Sequence, residues 1–127
     1  MTMQEWNKDR WIFKDIHRLG YPYYFIHPHK QVAVKYLVEN LPDNTQYVLI
    51  FGSSVGTWHF SSGDLDICII RDNKCSTSER NSMCLRNIDY NILEFNSLQE
   101  ILSAKNELND VKGEIFRKGV IVYESKT

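Results

Sequence analysis

Apolar and polar positions follow two different periods along the chain, and the switches between them mark the elements. Ile12, Phe13, Ile16 and Leu19 recur at helical spacing, which predicts a helix over 4–19, stopped by Gly20 and Pro22. Tyr21-Pro22-Tyr23-Tyr24-Phe25 reads as a turn or an extended piece. Val32, Val34, Tyr36 and Leu37 give a second helix over 29–40, and Leu41-Pro42-Asp43-Asn44 ends it with turn chemistry. The run 46–51 predicts a buried strand, and a short helical turn through Gly56 follows it. The stretch 61–63 is loop-like, and 65–70, apolar except for Asp66, predicts a central strand. A polar loop covers 71–82. In 87–94, Ile88, Tyr90, Ile92 and Glu94 alternate with Asp89, Asn91 and Leu93, the mark of a third strand. Leu98, Ile101, Leu102 and Leu108 predict a helix over 97–108, and 120–123 a short final strand.

This order predicts an α+β domain with a small mixed sheet of three core strands covered by helices. The 127 residues fit one domain, 1–127, with no repeat, linker or low-complexity tract.

Composition narrows the function. Fifteen Lys and Arg against sixteen Asp and Glu give a net charge of -1. Proteins that hold nucleic acid by its phosphates carry a basic excess, so nucleic acid is disfavoured as a partner. The three cysteines, Cys68, Cys75 and Cys84, contain no C-x-x-C pair, which argues against zinc. Cys68 sits in an apolar run and reads as a buried thiol. Residues 1–10 are polar, unlike a signal peptide, and no apolar stretch approaches the length of a bilayer. A cytoplasmic protein with reduced cysteines and no membrane association is expected.

The candidate chemistry lies in the middle of the chain. Asp64 and Asp66 are two apart, so on a strand they point to the same side. Two like charges beside an apolar strand repel and are costly to desolvate, unless divalent cations neutralise them. Hard cations such as Mg²⁺ take carboxylate oxygens and keep positions open for water and phosphate. Asp89 faces the same cavity if its strand pairs with 65–70, giving three carboxylates for two metal ions. Gly52-Ser53, directly after a buried strand, lets the backbone approach a phosphate closely, with amide donors and the Ser53 hydroxyl beside it. Ser54 is expected to be replaceable.

The stretch FGSSVGTWHFSSGDLDICII resembles the signature of the polymerase-beta-type nucleotidyltransferase superfamily, G-S-x(10)-D-x-D in its minimal branch. The resemblance implies the nucleotidyltransferase fold, an α-β-α-β-X-β core over 29–94, with 1–25 as an N-terminal helical extension outside it. Residues 118–124, KGVIVYE, also resemble the close of many minimal members. It further implies that Gly52 and Ser53 bind the β,γ-phosphates of ATP or another NTP. Asp64 and Asp66 would ligate both Mg²⁺ (or Mn²⁺) ions, and Asp89 would complete the ion that activates an acceptor hydroxyl. In some pairs, minimal members adenylylate a tyrosine of a HEPN ribonuclease toxin and serve as its antitoxin. A HEPN-type partner is therefore implied, and self-association stays open. The chain departs from the pattern at Ser54, where many minimal members carry Arg, and at Gly63, inserted into the usual S-D-x-D.

Other residues carry less. His27-Pro28-His29 cannot easily converge on one ion, and together with His17 it reads as no metal site. Tyr21, Tyr23, Tyr24 and Phe25 read as packing against the core rather than a stacking platform. Arg71 and Lys118 read as solvated charges at strand ends rather than triphosphate partners. The N-terminal helix is either a partner-binding face or a cover for the sheet. Three functions compete: an active nucleotidyltransferase, a non-catalytic module of the same fold acting by contact alone, and a structural α/β domain.

Overall fold

The computed structural model describes residues 2–13, 19–55, 64–71, 90–104 and 110–125. Its centre is a four-stranded mixed sheet of β1 (Thr45–Phe51), β2 (Leu65–Arg71), β3 (Tyr90–Phe95) and β4 (Val120–Glu124), in the order β3-β2-β1-β4. β1 runs antiparallel to both β2 and β4, whereas β2 and β3 are parallel. β1 and β2 are buried on both faces, which explains their nearly unbroken apolar sequence.

Each face has its own core. On one, Val48, Ile50, Ile67, Ile69 and Val122 pack with Val34 and Leu37 of α2 (Gln31–Glu39) and with Phe25 and Ile26. On the other, Leu49, Cys68, Ile70 and Ile121 pack with Trp6 of α1 (Met3–Asn7), Ile101 of α3 (Gln99–Leu102) and Ile115 of α4 (Val111–Lys118). Burial pushes the Cys68 thiol up to about 12, so it stays protonated at neutral pH, a buried thiol as its apolar run predicts.

The N-terminal segment covers the sheet. Asn7, buried, donates from Nδ2 to Ile121 O at 2.8 Å and accepts from Ile121 N at 2.9 Å. Its amide thus pairs with the outer edge of β4 as another strand would. Trp6 Nε1 donates to Gly119 O at 2.9 Å.

Helix 4–19 is shorter than its apolar spacing predicts. Among the described residues of this stretch only Met3–Asn7 is helical, and residues 11–13 are not. Phe13 is fully buried, and its amide donates to Tyr24 O at 2.9 Å, a bond that a continued helix would preclude. Residues 14–18, including His17, lie outside the described residues, as do 87–89 of the third strand and 105–108 of the 97–108 helix. α4 was not expected. It is capped by Asp110, whose side chain accepts from Lys112 N, and it buries only Gly113 and Ile115, too little apolar pattern to announce a helix. Tyr21 makes edge contacts with Tyr24 and Phe25, Tyr24 tilts against Phe25, and Phe25 enters the core.

Arg71 is not a solvated charge. It is 3% exposed, donates from Nε to Asp43 O at 3.0 Å and pairs with Glu94 at 3.5 Å. It stands at the opposite end of β2 from Asp64, so it is a structural ion pair within the fold.

Candidate active site at the ends of β1 and β2

β1 runs out at Phe51, and the chain turns sharply. Gly52 adopts φ +74°, a left-handed conformation that glycine alone enters at little cost. Gly52–Ser54 then form a single 3-10 turn, closed by Val55 N donating to Gly52 O at 3.3 Å. Phe51 pairs with Asp66 across the antiparallel ladder, which sets the turn beside the start of β2. The apposition is tight: a Cβ on Gly52 would overlap Asp66 Oδ2 and lie 3.2 Å from its Cγ. Glycine is thus required twice here, for backbone conformation and for the space the carboxylate fills.

Asp64, just before β2, and Asp66, within it, are two residues apart, the spacing that puts side chains of extended backbone on one side. Asn91 stands opposite Asp66 on the parallel neighbour β3. Its Nδ2 donates to Asp64 Oδ2 at 3.1 Å and to Asp66 Oδ1 at 3.3 Å. The two carboxylates therefore converge within one amide's reach, at the rim of the sheet. Asp64 is exposed, and Asp66 is half-buried. Gly52, Ser53, Asp64 and Asp66 gather at this rim. Asp89 lies outside the described residues, and among the described residues no three His, Cys, Asp or Glu side chains form a metal-sized cluster.

Sequence reasoning passed over Lys30. The 3-10 turn Pro28–Lys30 leads into α2, and Lys30 is 3% exposed. Its Nζ donates to Ser54 Oγ and to Asp64 O, both at 3.1 Å. Burial lowers its pKa, and the Asp66 and Asp64 carboxylates pull it partly back up. One ammonium thus ties the turn after β1 to the residue before β2, with both carboxylates close by. Ser54, which the sequence leaves without a structural role, is fully buried and accepts from this ammonium. The sequence signal for Lys30 is faint: a lone Lys at the start of an amphipathic helix usually belongs to the solvated face.

His27 adjoins the same turn, its amide donating to Ser54 O at 2.8 Å. Its Nδ1 accepts from His29 N at 3.3 Å and caps the Pro28–Lys30 turn, a structural role. Among the described residues no helix is long and apolar enough to cross a membrane.

Compared with family models, curated proteins and solved structures, the chain matches none. What the site can do therefore rests on its own geometry. The fold is α+β with a small mixed sheet. At the sheet's rim two carboxylates lie beside a turn whose first residue lacks a side chain.

Proposed function

We propose that the chain is a divalent-metal-dependent nucleotidyltransferase that moves AMP, or another NMP, from an NTP to a hydroxyl acceptor. The observation that carries this reading is the apposition of Gly52 and Asp66, which sets the backbone of the turn directly against a carboxylate with no Cβ between them. The donor set fits Mg²⁺ or Mn²⁺: Asp64 and Asp66 offer hard oxygens on one side of one strand, and neither is fully buried. These two would hold the metal, with Asp89 as the third ligand that the resemblance supplies. When bound, the ions neutralise the triphosphate and lower the pKa of the attacking hydroxyl.

The chain's own residues do the rest. The Gly52–Ser54 turn offers amides and the exposed Ser53 hydroxyl to the β,γ-phosphates. Lys30 adds a fixed positive charge beneath the turn, at the side chain of Ser54, where many minimal nucleotidyltransferases have Arg. The acceptor oxygen forms its bond to the α-phosphorus as the bond to the bridging oxygen breaks and pyrophosphate departs. The acceptor we favour is a tyrosine hydroxyl of a HEPN-type protein.

Calorimetry with ATP and Mg²⁺ tests the reading. Wild type is expected to bind ATP only with Mg²⁺, and Asp66→Asn, which removes charge but not volume, is expected to lose that binding. Metal-independent ATP binding of equal strength in both would sink it. A second reading, a non-catalytic module acting by contact, is favoured by Asn91, whose amide satisfies both carboxylates without a metal. Tight partner binding with no AMP transfer would select it.

A further inference from the structure

On the other side of β1 from the carboxylates lies a cavity. β1 is flanked by β2 and β4, and Ile50, two residues before Gly52, pairs with Val120 of β4. Where the turn ends, Val55 forms one wall of a cavity of about 180 Å³, and Val120 forms another. The remaining lining is unlike these walls: three cations, Arg10, Arg117 and Lys118, with Trp11 and a single carboxylate, Asp9. Arg117 and Lys118 end α4, where cations are ordinary complements to the helix dipole. Arg10 arrives from the N-terminal segment and adds a third cation at the same helix end. It is held rigidly, Nε donating to Gly119 O at 2.7 Å and Nη2 to Phe116 O at 2.8 Å, with its guanidinium 5.7 Å from the Trp6 ring. Two segments far apart in sequence thus bring positive charge to one cavity beside the Gly52–Ser54 turn.

We infer that this pocket is an anion subsite for the terminal phosphates of the nucleotide and for the pyrophosphate released from it, an inference that rests on the nucleotidyltransferase reading above. Size selects the ligand class. The cavity is smaller than the roughly 300–1,000 Å³ of sites that enclose whole drug-sized molecules, so it suits a compact anion rather than a nucleoside. Position selects it too. β2 and β4 flank β1, two strand spacings or roughly 10 Å apart, and a phosphate chain lying across the end of β1 has carboxylates at one end and cations at the other. The metal-binding end would hold the α-phosphate. The cationic end would draw off the negative charge that builds on pyrophosphate as the bond breaks. The N-terminal segment, outside the part of the chain that resembles nucleotidyltransferases, thereby gains a role in the site through Arg10 and Trp11.

The test is calorimetric titration of the full chain with sodium pyrophosphate in EDTA, so that metal ligation plays no part. Wild type is expected to bind, and Arg117→Ala/Lys118→Ala, two exposed substitutions at a helix end, to bind about tenfold or more weakly while still unfolding in one cooperative transition. Asp66→Asn is expected to bind as wild type or more tightly, having lost a negative charge. Equal affinity in wild type and the double variant overturns the inference. So does weakening by Asp66→Asn, which would put the anion at the carboxylates, and so does sulfate binding as tightly as pyrophosphate at matched ionic strength. ATP with Mg²⁺ is titrated alongside. Binding of ATP with Mg²⁺ but no effect of the double variant on pyrophosphate overturns the pocket alone, whereas absence of ATP binding counts against the transferase reading itself.

Discussion

Asp66 Oδ2 occupies the space that a Cβ on Gly52 would fill, and Gly52 holds φ +74° beside it. Gly52→Ala must therefore either push the Asp66 carboxylate aside or distort the turn. The left-handed backbone adds about 1–2 kcal/mol of strain for any residue with a Cβ. The variant is expected to lose stability of about that size and most Mg²⁺-dependent ATP affinity. Wild-type ATP affinity in a folded Gly52→Ala protein would show that the cradle and the carboxylate do not act on one ligand.

Lys30 and Ser54 form the second testable pair. Lys30→Met keeps the length of the side chain but leaves Ser54 Oγ and Asp64 O without this donor. Hydrogen bonds from a charged donor contribute about 1.5–3 kcal/mol, so a loss of stability of that order is expected. Ser54→Ala removes the same bond from the other side. In a double-mutant cycle from chemical denaturation the two should couple by about 1 kcal/mol or more. Additive effects would mean that the ammonium is held by its other contacts and not by Ser54.

The strands and the paired carboxylates were legible in the sequence because both follow from local rules. Runs such as Leu65–Ile70 can only be buried, and a two-residue spacing on a strand fixes Asp64 and Asp66 to one side. The turn at Gly52 was legible for the same reason, since a glycine ending a buried strand marks a sharp change of direction. What escaped depends on long-range partners. Lys30 is buried because the Gly52–Ser54 turn and Asp64 O wait for it, and nothing near residue 30 says so. Arg71 is buried because Glu94 and Asp43 O close over it. Phe13 leaves its helix for a bond to Tyr24 that local periodicity cannot anticipate. Asn91 lay in an alternating strand with no hint that its amide would bridge the two aspartates until β3 was in register with β2.

The pH dependence of stability supplies the last prediction, through His27. Burial first, then the charges of His29 and Lys30, lower its pKa below the ordinary value. A lowered folded-state pKa means that the unfolded chain takes up the proton before the folded one does. The stability that neutral His27 contributes is therefore complete above the unfolded pKa of about 6.5. It declines as the pH falls below that value and is lost as the pH passes through the lower folded value. The bonding supports the sign. Nδ1 accepts from His29 N at 3.3 Å, so the neutral ring carries its proton on Nε2, and protonating Nδ1 would remove the cap of the Pro28–Lys30 turn. His27→Asn keeps a side-chain acceptor suited to that cap and cannot titrate. Urea unfolding at about pH 7.5, 6.5 and 5.5 should show a clear loss of stability in wild type and a shallower one in His27→Asn. The effect should reach the site, because the His27 amide donates to Ser54 O at 2.8 Å and Lys30, three residues on, holds Ser54 Oγ. Hydrogen exchange at the Val55 amide, which closes the turn on Gly52 O, should accordingly quicken below pH of about 6.5 in wild type more than in His27→Asn, after correction for intrinsic rates. Parallel stability curves for the two proteins would remove His27 as the source of acid sensitivity.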